Sequence, residues 1–140
     1  MSLSTIRIIV SLALIAHGLG HAMTALPVYG LRLSETHSAE SWLLSKVLRK
    51  GLSSGFCVII NLLAMVAFVA AGLALSEWGL AMAGWEGLTV AGAIFSLLGL
   101  ALFWDGLPFL VPNKLGALLV NILALASILW LRWPPGLFGP

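Results

Sequence analysis

Two histidines four residues apart, in the run His17-Gly18-Leu19-Gly20-His21, are the feature of this chain best suited to chemistry. On a helix that spacing puts both imidazoles on one face, where they can serve as nitrogen ligands, hydrogen-bonding groups or proton carriers. Few other side chains in the surrounding apolar sequence compare: Asn61, with Cys57 and Ser54 a turn or two before it, Asn121, and Asp105 beside Trp104. In hydrocarbon an unpaired polar group is expensive, so such residues are site candidates that face the interior of a helix bundle.

Three kinds of ligand suit this set. His17, His21 and Asp105 would give a transition metal two borderline nitrogen donors and a compensating carboxylate, with His37 as another third donor. A quinone-like ligand needs an apolar slot ending in one or two hydrogen-bonding groups, which His17, His21 and Asn61 would supply. A tetrapyrrole would take one imidazole as axial ligand, with Gly18 and Gly20 clearing space, although one span cannot present both axial ligands to one haem. Against all three stands plain packing, in which histidines and asparagines hydrogen-bond across helices for about 1 kcal/mol each. Asn61 and Asn121 need no more than that, whereas two imidazoles on one face exceed it. Cys57 reads as a small buried apolar residue. As the only cysteine it excludes an intramolecular disulfide, a CxxC pair and a thiolate zinc cage.

The elements that must position these groups follow from composition. Of 140 residues, 61% are hydrophobic and 9% charged, against about half and a quarter in a soluble domain. Lipid is therefore the main solvent. Seven Lys and Arg against five Asp and Glu leave a net charge of +2, too sparse for a nucleic-acid surface, and nucleic acid is excluded as a partner. A stretch of about 20 apolar residues fits four times, over 8–26, 55–75, 88–104 and 115–131. Pro27, Gly30, Gly51, Gly79, Gly84, Gly106, Pro108, Pro112 and Pro134-Pro135 mark the ends. The fold predicted is all-α, a single integral membrane four-helix bundle running up-down-up-down, without the repeat of a transporter. The first stretch follows Arg7 as a signal peptide would, but it carries two histidines and reaches Pro27 without a small-x-small cleavage site, so a retained helix is expected.

The long connection, 28–50, holds Arg32, Lys46, Arg49 and Lys50. Trp42, Leu43, Leu44, Val47 and Leu48 set against Lys46, Arg49 and Lys50 predict a short interfacial helix over about 38–50, capped by Ser38 or Thr36 and attractive to anionic lipid. Basic loops stay cytoplasmic. The first and third loops, the latter with Lys114, are therefore expected inside and both termini outside, in a multi-pass cell-membrane protein. Trp78, Trp85, Trp130 and Trp133 predict an aromatic belt on the terminus side, with Glu86 beside Arg132 or Arg7. At about 1.5 Å per residue from the basic face, His21 lies roughly 7 Å deep, His17 about 13 Å, Asn61 about 10 Å and Asn121 about 9 Å, with Asp105 near the rim. These levels predict one polar cavity, lined by all five, in the half nearer the long loop. Ridges of small residues, Ala16-Gly20-Thr24, Gly92-Ser96-Gly99 and Ala117-Asn121-Ala124, are expected to bring backbones together.

Four short spans, a basic first loop and the Gly-x-x-His of Gly18 to His21 resemble the DoxX-like families, four-helix membrane proteins in which some members are linked to quinone reduction. The resemblance covers the span layout; Leu14-Ile15-Ala16 stands where the family's aromatic-Leu element would precede the first-helix glycine. It implies a quinone as ligand, by analogy between folds. Two functional expectations result. The first is a redox-associated membrane protein whose cavity binds a quinone-like ligand or a metal. The second is a non-catalytic subunit or assembly helper of a larger membrane complex, or a homo-oligomer, docking through its small-residue and Leu-rich faces.

Overall fold

The computed structural model describes residues 2–76 and 84–132; Trp78, Gly79, Trp133 and Pro134-Pro135 lie outside them. Among the described residues the chain is helical, with no strand. Its α-helices are α1 (Leu3–Ala25), α2 (Leu44–Val47), α3 (Lys50–Ser76), α4 (Trp85–Phe103) and α5 (Ala117–Ala126). With their flanking turns, four stretches are long and apolar enough to cross a membrane: Leu3–Tyr29, Lys50–Ser76, Trp85–Gly106 and Leu110–Leu131. Each contains the span expected and overruns it. At the start of α1 the reason is a cap, the Ser2 hydroxyl accepting the Thr5 N–H at 3.2 Å. At α3 the basic end of the long connection, Lys50, forms the first turn.

α3 is central. Cys57, Asn61, Ala64, Phe68, Ala71 and Leu75 recur at intervals of three and four and are all buried, which lays one continuous stripe along the helix. In their most apolar windows α3 and α4 are 39% buried, against 17% for the first span and 11% for the last. The helices thus pack in the order α1, α3, α4, α5, with α1 and α5 outermost.

Glycines set the closest approaches. A β-carbon on Gly18 would lie 3.0 Å from the Met65 carbonyl, Phe68 Cβ and Val69 Cγ2, and one on Gly72 would lie 2.7 Å from the Ser11 carbonyl. On α4, Gly92 faces the Phe68 ring at the same 3.0 Å. The ridge on α1 is therefore Ser11, Leu14, Gly18, His21 and Thr24, in place of Ala16-Gly20-Thr24. Ala16 and Gly20 are exposed, and nothing among the described residues lies within 4 Å of a β-carbon on Gly20. At about 100° per residue, both stand two steps from Gly18 and are turned outward once it is buried. The α4 ridge is as expected, Gly92, Ser96 and Gly99 being buried. On α5 Asn121 is buried and Ala117 and Ala124 are half-buried.

The long connection corrects the interfacial helix. Gly30, at φ +80°, closes the turn Leu26–Tyr29 that Pro27 begins. The chain then docks on the C-terminal end of α4, whose last carbonyls have no partner within their own helix. Trp42 Nε1 donates to the Ala101 carbonyl (2.7 Å), the Ser41 hydroxyl to Leu102 (2.6 Å), and the Ser38 N–H to Gly106 (3.0 Å). Gly106 has no room for a β-carbon, which would collide with the Ser38 carbonyl. Helix α2 is consequently one turn, and its first N–H groups, those of Leu43 and Leu44, bond to Ser41 rather than to Ser38 or Thr36. Extended backbone at Leu48 ends it.

The last span is not a regular α-helix throughout. Leu110–Gly116, containing Pro112, and Ser127–Leu131 are wound as π-helix on either side of α5, the first where proline removes a backbone donor.

The α1/α3 contact leads to a paired expectation. Gly72→Ala forces a β-carbon onto the Ser11 backbone and should destabilise the bundle by about 1–3 kcal/mol. Gly20→Ala meets open space and should be neutral or stabilising by up to about 1 kcal/mol. Unfolding titrations of both variants in mild detergent check this; equal effects would show that the two helices are not held at Gly72.

Candidate functional site

Phe68 is the residue around which the polar groups are arranged. It is fully buried, and its ring meets His17 edge-on at 4.7 Å between centroids and lies parallel to His21 at 6.1 Å. The two imidazoles are themselves 5.3 Å apart at 79°. The helical face that carries His17 and His21 thus lies against α3 and is locked by an aromatic wedge, while Asn61, two turns before Phe68, shares its stripe.

Each histidine is paired with one asparagine. His21 Nδ1 and Asn61 Oδ1 are 3.0 Å apart, and Asn61 Nδ2 donates to the Cys57 carbonyl at 2.9 Å. Since the amide nitrogen is committed, its oxygen must accept, and the network assigns the proton to His21 Nδ1. His21 Nε2 is then an acceptor; it is buried and has no hydrogen-bond partner among the described residues. On the other side His17 Nε2 stands 3.3 Å from Asn121 Oδ1, and Asn121 Nδ2 donates to Ser96 Oγ at 2.6 Å. By the same reasoning His17 carries its proton on Nε2. Neighbouring imidazoles on one helix are therefore held in opposite tautomers by two different helices.

Of the five residues expected to line one cavity, four come together: His17, His21, Asn61 and Asn121. Asp105 does not join them. It is exposed in the turn Trp104–Gly106 and lines a recess of about 380 Å³ with Trp42, Leu100, Ala101 and Trp104. Among the described residues no group of three His, Cys, Asp or Glu side chains is placed to hold a metal ion. The space beside Gly18 that a tetrapyrrole would use is filled by Phe68 and Val69, and Gly20 faces outward. Phe68 and Ser96 were not among the expected site residues. Their signal was present: Phe68 lies seven residues beyond Asn61, and Ser96 in the centre of the α4 ridge.

Open space lies next to the polar group, on the side away from the long loop. A cleft of about 320 Å³ runs between α1, α4 and α5, lined by Val10, Ala13, Leu14, Val120, Leu123 and Ala124 among others, with the hydroxyls of Thr89 and Ser127 in its wall. Thr89 is committed to the Trp85 carbonyl at 2.8 Å.

His37, the other possible third donor, is fully buried within the long connection. Its Nδ1 accepts the Leu33 N–H at 3.1 Å, so it secures a turn of its own loop. Burial and, secondarily, the Arg32 guanidinium push its pKa below 6.5, with the Met23 backbone pulling the other way.

No known protein family matches the chain, and no curated protein or solved structure matches it.

Two outcomes follow from this geometry. In a double-mutant cycle of His17→Ala and Asn121→Leu, unfolding in detergent should give a coupling of about 0.6 kcal/mol, up to about 1.7; zero coupling would remove the bond. For His37, the unfolded loop takes up a proton more readily than the docked one. The docked loop is therefore at full stability above about pH 6.5 and loosens as pH falls below it. The protection factors of the amides of residues 33–38, each taken against the exchange rate of unstructured chain at the same pH, should fall on acidification in the native chain and lose that dependence in His37→Gln.

Proposed function

We propose that the chain is a four-span membrane protein that binds a flat, lipid-soluble ligand of the quinone type in the cleft between α1, α4 and α5, in a redox-associated role. The observation that carries this reading is the position of the cleft relative to the His17–Asn121 pair. Ala13 and Leu14 in its wall lie one turn before His17, and Val120 and Ala124 flank Asn121. An apolar slot whose wall lies within a turn of an imidazole and an amide suits a ring with carbonyl groups at its edge, once the His17 side chain turns toward it. At 3.3 Å the His17–Asn121 bond is long, so a ligand carbonyl can take the His17 proton donor in place of the asparagine. The volume, about 320 Å³, is at the small end for ligand sites and suits a ring head whose tail remains in lipid.

The membrane frame has its own support. Gly18 meets Met65 to Val69 while Ser11 meets Gly72, and Gly92 meets Phe68 while Gly99 meets Ile60. Neighbouring helices with such registers run in opposite directions, in keeping with an up-down-up-down bundle. Arg32, Lys46, Arg49, Lys50 and Lys114 then share the cytoplasmic end and both termini lie outside. Attraction of anionic lipid to Lys46, Arg49 and Lys50 is moderated by the Lys50–Glu40 ion pair at 2.9 Å.

A second reading, the subunit or assembly helper, has one observation in its favour. Ala16 and Gly20 are exposed one turn apart on α1, and small residues so spaced let a helix of another chain approach closely.

A photoreactive benzoquinone with a short alkyl tail tests the first reading on protein purified in mild detergent. Labelling should fall on α1 and α5 and drop about tenfold in Ala124→Phe, which fills the cleft, at unchanged thermal midpoint. Equal labelling of native and filled protein would overturn the ligand site and move the reading to the subunit.

A further inference from the structure

The recess at the end of α4 combines features that no part of the quinone reading uses. Two indoles form its walls, Trp42 fixed by its bond to the Ala101 carbonyl (2.7 Å) and Trp104 in the turn that follows the helix. The Asp105 carboxylate is at its edge, exposed and with no hydrogen bond or ion pair among the described residues. The negative end of the α4 dipole points the same way. Aromatic faces, an uncompensated carboxylate and a helix C-terminus together attract a cation, above all an organic ammonium. Two positive groups lie over the same two indoles. Lys114 Nζ stands 5.3 Å from the Trp104 ring centroid and Lys46 Nζ 6.0 Å from that of Trp42, each at the end of a flexible stem that can reach beyond its ring.

From this arrangement of charge we infer that the recess is a binding site for the ammonium–phosphate headgroup of a membrane phospholipid. The ammonium lies between the indoles against Asp105, and the phosphate is met by Lys114 and Lys46. Tryptophan pairs belong at the level of lipid headgroups, and the recess of about 380 Å³ is open rather than enclosed, as a site filled sideways from a bilayer must be. A purely anionic headgroup would satisfy the lysines and leave the carboxylate facing a like charge, so the recess discriminates by the ammonium.

Native mass spectrometry of the full chain in mild detergent, with phosphatidylethanolamine, phosphatidylcholine and phosphatidylglycerol of identical acyl chains, provides the test. The native chain should retain the two ammonium lipids over phosphatidylglycerol. Asp105→Asn should lower that preference about tenfold, while Asp105→Glu keeps it. Lys114→Gln should weaken all three lipids alike. Asp105 is exposed and makes no hydrogen bond or ion pair among the described residues, so these variants should fold, and an unchanged thermal midpoint confirms that they do. A preference unaltered in Asp105→Asn overturns the assignment. Displacement of the lipid by soluble glycerophosphoethanolamine at equal concentration overturns the membrane source in favour of a free solute. Neither result touches the cleft between α1 and α5, where the quinone label reports separately.

Discussion

Phe68 fits where it does because one residue of α1, beside its Cβ, and one of α4, beside its ring, have no side chain. Gly18 on α1 and Gly92 on α4 would each bring a β-carbon to 3.0 Å from Phe68, closer than packed carbon atoms ordinarily sit. Two glycines on different helices thus admit one large side chain from a third, and that side chain sets the directions of the imidazoles. His17 meets the ring by its edge and His21 by its face, which turns one histidine toward α5 and the other toward α3. The asparagines complete an orientation that aromatic packing has already chosen.

Polar pairing then does different work on the two sides. Asn61 ties α1 to a helix against which α1 is already closely packed, and it also bonds to its own backbone at Cys57. Asn121 sits on the least enclosed span, 11% buried in its apolar window, yet is itself fully buried and reaches both α1 and α4. For α5, that amide adds to an apolar contact, through Leu125, smaller than the one α3 and α4 share. Such a bond is weak, of order 1 kcal/mol in a membrane, so the gap between α1 and α5 persists beside it and becomes the cleft.

The four helices were legible as apolar runs, and the common level of His17, His21, Asn61 and Asn121 as a count of residues from the basic end. Both depend on distances along a helix axis, which sequence contains. Rotation about the axis is harder to read. Ala16-Gly20-Thr24 has the spacing of a packing ridge, but Gly18, half a turn away, is the residue that approaches α3, and only the partner helix decides between them. Phe68 was legible only through its seven-residue spacing from Asn61, because a phenylalanine in an apolar span does not by itself say which face it occupies. The docking of Ser38, Ser41 and Trp42 on the last carbonyls of α4 joins segments some 60 residues apart. Local amphipathicity in 41–50 could only suggest a helix at the membrane surface. Asp105 was assigned by level to a cavity it does not face, since depth alone does not distinguish the interior of a bundle from its rim.

The widened turns on either side of α5 act as a phase adjustment. A π-helical segment accommodates one residue more than the α-helix it interrupts, and each residue turns an α-helix by about 100°. The angular setting of Asn121 is therefore fixed by how many residues are wound into Leu110–Gly116, as a gear is set by the number of teeth passed. Loss of a single residue there would leave the length and hydrophobicity of the span almost unchanged while carrying the amide away from His17 and Ser96. Composition would register nothing, yet the span would present a different face to the bundle. Sequence relatives of this chain would thus be told apart less by substitutions within α5 than by single-residue changes of length in the segment that contains Pro112.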